Sequence, residues 1–202
     1  MYTLYYLPGA SSLAIHAVLR ELGQPVHLVE RDSTYDFTDL NPVGAVPVLV
    51  DGDLVIREGA AILLHLLDKH DNTLLPKSGS PRARALESIM FANATLHAAY
   101  GRLFFLQGYV PDPPAREAAL ADARAWIERL WRVVDRRVGV KPFIDGPQIS
   151  AADFLLAVFA LWHDTLPFPI RIGANSERLV AGVLRHPAFE QARAAEAADG
   201  PR

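Results

Sequence analysis

The sequence predicts an N-terminal α/β unit, ordered βαβ and then ββα, followed by an all-α helical bundle. Three observations predict it. Short aromatic or β-branched runs bounded by Gly, Pro and Asp recur in the first part of the chain. Two stretches with apolar residues at helical spacing lie among them. Strand signals then cease at Leu74-Leu-Pro-Lys-Ser-Gly-Ser-Pro81, a run of linker residues, and everything beyond is helical in pattern. The expected division is an α/β domain over 1–76, a linker over 77–81 and a helical domain over 82–202.

Element by element, Thr3-Leu-Tyr-Tyr-Leu7 reads as a buried strand that stops at Pro8-Gly9. Ser11 and Ser12 then precede Leu13, Ile15, Val18, Leu19 and Leu22, one apolar helical face closed by Gly23 and Pro25. Val26-His-Leu-Val29 is a second strand, and the crossover through the helix makes the two parallel. After a polar stretch, Val46-Pro-Val-Leu-Val50 and Leu54-Val-Ile56 form a hairpin about Asp51-Gly-Asp53. Glu58 opens an amphipathic helix to Leu67, with its acid in the favourable first turn. Beyond the linker, helices are expected over 81–106, 114–138, 150–163, 178–185 and 187–197.

Composition narrows the function. With 202 residues, of which 50% are apolar, the chain buries a substantial core. Its 20 basic and 23 acidic side chains leave a formal net charge of -3 without a basic run, which argues against nucleic acid as a partner. The apolar run from Phe154 to Trp162 is far shorter than the roughly 20 residues that span a bilayer, so no membrane association is expected. The N-terminus lacks a positive region followed by an apolar one, so the expected location is cytoplasmic. Cysteine is absent, which excludes disulfides, zinc thiolates and any mechanism using a protein thiolate. The 7 histidines form no metal-binding pair such as H-E-x-x-H, and Ser12 with His16 lacks a G-x-S-x-G elbow, so neither a metal site nor a serine hydrolase is expected.

Four segments carry a resemblance. Tyr5-Tyr-Leu-Pro-Gly-Ala-Ser-Ser12, Asn41-Pro-Val-Gly-Ala-Val-Pro-Val-Leu49, Arg57-Glu-Gly-Ala-Ala-Ile62 and Gln148-Ile-Ser-Ala-Ala-Asp153 occur in that order. Together they resemble the cytosolic glutathione transferase family, its bacterial beta-like members above all, over essentially the whole chain. The resemblance implies a thioredoxin-like N-terminal domain, glutathione as co-substrate, a small electrophile as second substrate and a homodimer. The apolar face from Leu86 to Leu106 suits such a dimer. The implied activity is conjugation of glutathione to a small apolar electrophile, a detoxification chemistry. A glutathione-dependent isomerase, peroxidase or dehalogenase, and a binding protein of the same fold without activity, are the alternatives.

Each segment has a physical rationale beside that resemblance. Glutathione is a peptide, so an exposed strand edge can pair with its backbone. Val46 offers that edge if Val46-Pro47 is cis; a trans proline opening an edge strand is the other reading. Glu58 and Gly59 lie at a helix start, where free N–H groups favour the γ-glutamyl carboxylate and Glu58 meets the ammonium; an ordinary acidic first turn is the alternative. The family often has serine where this chain has Gly59, leaving only the backbone donor. Catalysis requires ionisation of the thiol, and Ser11, just before the first helix, is the best-placed hydroxyl, with Tyr6 and Ser12 close in sequence. Plain N-capping is the other role open to Ser11 and Ser12. Beta-like members often carry cysteine where Ser11 stands, and a serine excludes thiol–disulfide exchange there.

By the same resemblance, Thr95-Leu-His-Ala98 places His97 toward the cleft, where it polarises the sulfur or a bound water; a structural role is equally open. Tyr100 and Phe104 share its helix face and, with Trp162, line an apolar pocket for the electrophile, unless each is simply core. The family's cation for the glycyl carboxylate is missing between Arg31 and Leu40, and position 45 is alanine, so Arg31 is the expected substitute. Ser150-Ala-Ala-Asp153 reads as a structural capping box, stapled by Ile149 and Phe154.

Overall fold

A computed structural model describes residues 1–34, 36–109 and 111–199. Tyr35, in the polar stretch before Asn41, and residues 200–202 of the expected helical domain lie outside the described residues. Alternation of buried and half-buried residues defines β1 (Tyr2–Tyr6), with Tyr2, Leu4 and Tyr6 on its buried face. Next come α1 (Ser12–Glu21) and β2 (Val26–Glu30), which runs parallel to β1 with Leu4 opposite Leu28. A short α2 (Phe37–Leu40) precedes the hairpin of β3 (Val48–Asp51) and β4 (Leu54–Ile56). The sheet order is β2-β1-β3-β4, with β3 antiparallel to both β1 and β4. The two-residue turn Gly52-Asp53 closes the hairpin, with Gly52 at φ 62°, a conformation that glycine adopts without strain. The helix α3 (Gly59–Lys69) completes the βαβ-ββα order expected of the sequence.

The rest is helical: α4 (Gly79–Met90), α5 (His97–Tyr109), α6 (Pro113–Val138), α7 (Ala151–Leu161), α8 (Ala174–Leu184) and α9 (Pro187–Asp199). The single helix expected over 81–106 is instead α4 and α5 joined through a π-helical stretch, Phe91–Leu96, in which the His97 N–H reaches back to the Ala92 carbonyl. Residues 77–81 cover the end of the connection and the first residues of α4.

α7 is apolar all round because it is buried on every side, with Phe154, Leu155, Leu156, Val158 and Phe159 all in the core. It packs on α1, α4 and α8, while α1 also packs on α3 and α9, so the two halves share one hydrophobic core. Two buried polar clusters sit in this interior. His16 Nδ1 lies 3.2 Å from Glu196 Oε1, and Arg20 Nε donates to His16 Nε2 at 3.1 Å, so His16 carries its proton on Nδ1 and tethers α1 to α9. Burial pushes the Glu196 carboxyl up, and the His16 hydrogen bond and the Gly9 N–H oppose that rise. At the start of α7, Asp153 Oδ2 accepts from the Ser150 N–H at 2.8 Å and from Ser150 Oγ at 2.7 Å, and Oδ1 accepts from the Ile144 N–H at 2.9 Å.

Candidate functional site

The turn between β1 and α1 is held by its own side chain. Ser12 Oγ bridges the Leu7 N–H and C=O, at 3.4 and 3.3 Å, and leaves Ser11 at the N-cap with no cap hydrogen bond. Of the two serines, Ser12 has the structural role. Ser11 is half-buried and lines a cleft of about 130 Å³ between the sheet domain and the helices.

The opposite wall is the loop into β3. Asn41, almost fully buried, donates from Nδ2 to the Ala45 carbonyl at 2.7 Å and accepts the Val43 N–H at 3.2 Å. Its carbonyl takes the Gly44 N–H, with Gly44 at φ 71°, so one asparagine fixes the whole turn. The loop delivers Val46 and Pro47 to the cleft, and the Val46-Pro47 bond is cis. Among the described residues the Val46 backbone makes no hydrogen bond, because β3 pairing starts at Val48. An unpaired peptide edge therefore faces the cavity.

The third wall is the start of α3. Glu58 is its N-cap but caps nothing with its side chain, and the first bond of the helix runs from the Ile62 N–H to the Glu58 carbonyl at 2.8 Å. The N–H groups of the first turn are left for a ligand, with the positive end of the helix dipole behind them. Arg57 also lines the cleft, anchored by Nε to the Leu40 carbonyl at 2.7 Å. From the helical half come Asn93, His97 and Leu155. Burial lowers the His97 pKa, opposed by the charge of Glu58, so the imidazole is neutral at neutral pH. Its ring is stacked on Phe159, with centroids 5.3 Å apart and 2° between planes.

The cleft thus offers a hydroxyl at a helix start, a free peptide edge, an anion-binding helix N-terminus and a cation, which together suit a short anionic peptide. A larger cavity of about 570 Å³ lies by Arg84, Arg137, Lys141 and Asp145, but it shares no residue with this cleft. Two of its cations are already paired, Arg137 with Ser88 and Glu87, and Lys141 with the Ile144 carbonyl. Among the described residues no group of His, Asp and Glu is arranged to hold a metal ion.

Residues 4–74 match the family model of the glutathione S-transferase N-terminal domain. The glutathione S-transferase GST-4.5 of Xanthomonas campestris pv. campestris is 34% identical over 165 residues, covering 79% of this chain and 81% of that protein. The chain belongs to the glutathione S-transferase family. Among solved structures, a glutathione S-transferase from Xylella fastidiosa superposes with a TM-score of 0.89 at 28% identity, covering 98% of this chain and 99% of that one. A sphingomonad glutathione S-transferase complexed with glutathione gives a TM-score of 0.83 at 27% identity, over 96% of this chain and 98% of its own.

In this transferase Ser11, Val46, Pro47, Glu58, Gly59 and His97 come together around the one cleft. Tyr6 does not join them. Strand alternation puts it with Tyr2 and Leu4 on the buried face of β1, 1% exposed, beside a cavity lined by β2 residues His27, Leu28, Val29 and Glu30. Proximity in sequence to Ser11 is undone by the turn that intervenes. Arg31 is also elsewhere: its guanidinium is engaged by Asp32 at 2.8 Å and by the Gly44 carbonyl at 3.3 Å. Arg57, Asn41 and Asn93 are the cleft residues that pattern reading passed over. Arg57 stood in the open, directly before Glu58 in a recognised segment, whereas Asn93 had no signal in a run that read as plain helix.

Of the residues expected to line an electrophile pocket, none lines this cleft; Phe104 and Trp162 meet edge to face with centroids 5.6 Å apart, and Phe104 is 37% exposed. Tyr100 is completely buried behind them. Its hydroxyl accepts from Trp131 Nε1 at 2.7 Å and is hydrogen-bonded to His163 Nε2 at 2.5 Å, so it supports the wall rather than facing a ligand. Burial lowers the His163 pKa to about 4, so the ring is neutral at neutral pH. Trp162 Nε1 donates to the Gly9 carbonyl at 2.7 Å and so ties the helical half to the turn that carries Ser11. Trp162→Phe keeps the aromatic wall but frees that carbonyl. The expected result is a loss of about 1 kcal/mol in stability with a several-fold fall in kcat, checked by chemical denaturation and steady-state kinetics on the same preparation.

Proposed function

We propose that this transferase binds glutathione in the Ser11 cleft, stabilises its thiolate and directs it at a small apolar electrophile. The carrying observation is Ser11 itself: a hydroxyl at the start of α1 with no cap to make, opposite the unpaired Val46 backbone. The cysteinyl backbone pairs with Val46, which brings the sulfur toward Ser11 and the N-terminus of α1. The γ-glutamyl carboxylate lies at the first turn of α3 and its ammonium at Glu58, while Arg57 takes the glycyl carboxylate. A cleft of about 130 Å³ is too small to enclose a tripeptide, so the bound peptide lies along its rim.

Lowering the thiol pKa from ~8.5 by two units takes ~2.7 kcal/mol. A charge-assisted hydrogen bond from Ser11 and the helix start supply an amount of that order. His97, neutral through burial, polarises the sulfur or a bound water. Phe104 and Trp162, backed by Tyr100, hold the electrophile. The thiolate forms the new carbon–sulfur bond, and the leaving group departs with its electron pair.

The chain divides into a glutathione-binding domain and a helical domain at 77–81, and it works as a homodimer through the α4 and α5 faces, where Met90, Phe105 and Tyr109 are exposed. No helix among the described residues is long and apolar enough to cross a membrane, which suits a cytoplasmic detoxification enzyme. The test is retention on immobilised glutathione with elution by free glutathione, followed by incubation with 1-chloro-2,4-dinitrobenzene and mass analysis. A glutathione adduct with loss of chloride supports conjugation. Retention without any adduct leaves a binding protein, and no retention contradicts the proposal.

A further inference from the structure

Gly59 and Asn93 belong to different halves of the chain and meet at the cleft. A Cβ on Gly59 would stand 3.3 Å from Asn93 Oδ1 and 3.7 Å from the Pro47 ring, closer to the amide than ordinary packing allows. A side chain at the first position of α3 would therefore press on the Asn93 amide. Asn93 lies in the π-helical stretch between α4 and α5 and is half-buried, and its side chain enters no hydrogen bond among the described residues. π-Turns concentrate at functional sites because they re-aim side chains that a regular helix would direct elsewhere. Below the amide lie the unpaired N–H groups of the first turn of α3, which need an acceptor.

We infer that Asn93 completes the carboxylate-binding corner from the helical half, its Nδ2 donating to the same carboxylate that the α3 N-terminus receives. The inference rests on the assignment of glutathione to this cleft, and it makes Asn93 a determinant of selectivity for a γ-glutamyl group. A carboxylate there bridges the two halves: backbone donors come from α3 and a side-chain donor from the π-turn. The absence of a side chain at Gly59 lets the amide sit this close, because a Cβ there would press on Oδ1 and make it give way.

The experiment is calorimetric titration of wild type, Asn93→Ala and Asn93→Asp with S-hexylglutathione and with S-hexylcysteinylglycine, which lacks the γ-glutamyl group. For Asn93→Ala the expected loss of affinity for S-hexylglutathione is roughly 10- to 100-fold, the range for a hydrogen bond to a charged group. S-hexylcysteinylglycine should change by less than about twofold, since it never reaches the corner. Asn93→Asp, nearly isosteric and so foldable, should bind S-hexylglutathione more weakly still, because two carboxylates then face each other. Gly59→Ser should weaken binding in the wild-type background and recover it in part in Asn93→Ala, where its hydroxyl has room. An equal loss for both ligands, or no loss for S-hexylglutathione, overturns the role of Asn93. A wild type that does not prefer S-hexylglutathione over S-hexylcysteinylglycine overturns the glutathione assignment itself, which separates the two failures.

Discussion

Asp153→Ala is expected to lower the stability of the folded chain by about 3 kcal/mol, the sum of two buried donors left unsatisfied at 1–3 kcal/mol each, with the expanded cavity adding to it. The donors are the N–H groups of Ile144 and Ser150, which have Asp153 as acceptor at the start of the most deeply buried helix. For a chain of this length the thermal midpoint should drop by roughly 6–12 °C. Differential scanning calorimetry checks it, and an unchanged midpoint would mean that water or a rearranged loop takes over the donors. The carboxyl also titrates. Burial raises its pKa to about 6, against a usual value of 3.8, with the Ser150 and Ile144 hydrogen bonds opposing the rise. A raised acid binds its proton more tightly when folded, so its contribution to stability is complete below the unfolded pKa and is lost as pH rises through about 6. Between pH 7 and pH 4 wild type should therefore gain on the order of 1–3 kcal/mol relative to Asp153→Asn, whose side chain does not titrate.

Ser11→Ala is expected to cost roughly 10- to 100-fold in kcat/KM for glutathione conjugation at neutral pH, the kinetic equivalent of one charge-assisted hydrogen bond to the thiolate. Stability should hardly move. The hydroxyl makes no cap hydrogen bond, and the turn is held instead by Ser12 on Leu7 and by Trp162 on Gly9. That separation marks a hydroxyl kept for a ligand, since an N-cap serine in service costs about 1 kcal/mol when removed. Above the pKa of free glutathione the two enzymes should converge, because solvent then ionises the thiol without help.

How far these features were legible varies with the kind of signal. Turn chemistry is local, so the order of strands and helices through Pro8-Gly9, Asp51-Gly-Asp53 and Glu58 could be read directly, and the capping box at Ser150 with it. The π-stretch at Phe91–Leu96 could not be read, because no Gly or Pro marks it and it forms under tertiary packing. Asn93 was hidden for that reason. Which of two adjacent serines holds the turn and which makes no cap hydrogen bond depends on how the chain at Leu7 folds back, which composition does not encode. Nearness to Ser11 in sequence hides the strand alternation that turns Tyr6 to the buried face of β1. Helical spacing puts Tyr100 on one face with Phe104, but its hydroxyl partners, Trp131 and His163, lie far from it along the chain and are not legible from spacing.

The most direct test of the account is the pKa of bound glutathione, read from the ultraviolet difference spectrum of the thiolate as pH is varied. Wild type should show a thiolate pKa well below the ~8.5 of a free thiol, and Ser11→Ala should return most of the way to it. A bound thiol that titrates as free glutathione does in wild type, or an identical low pKa in both proteins, would contradict the assignment of thiol activation to Ser11.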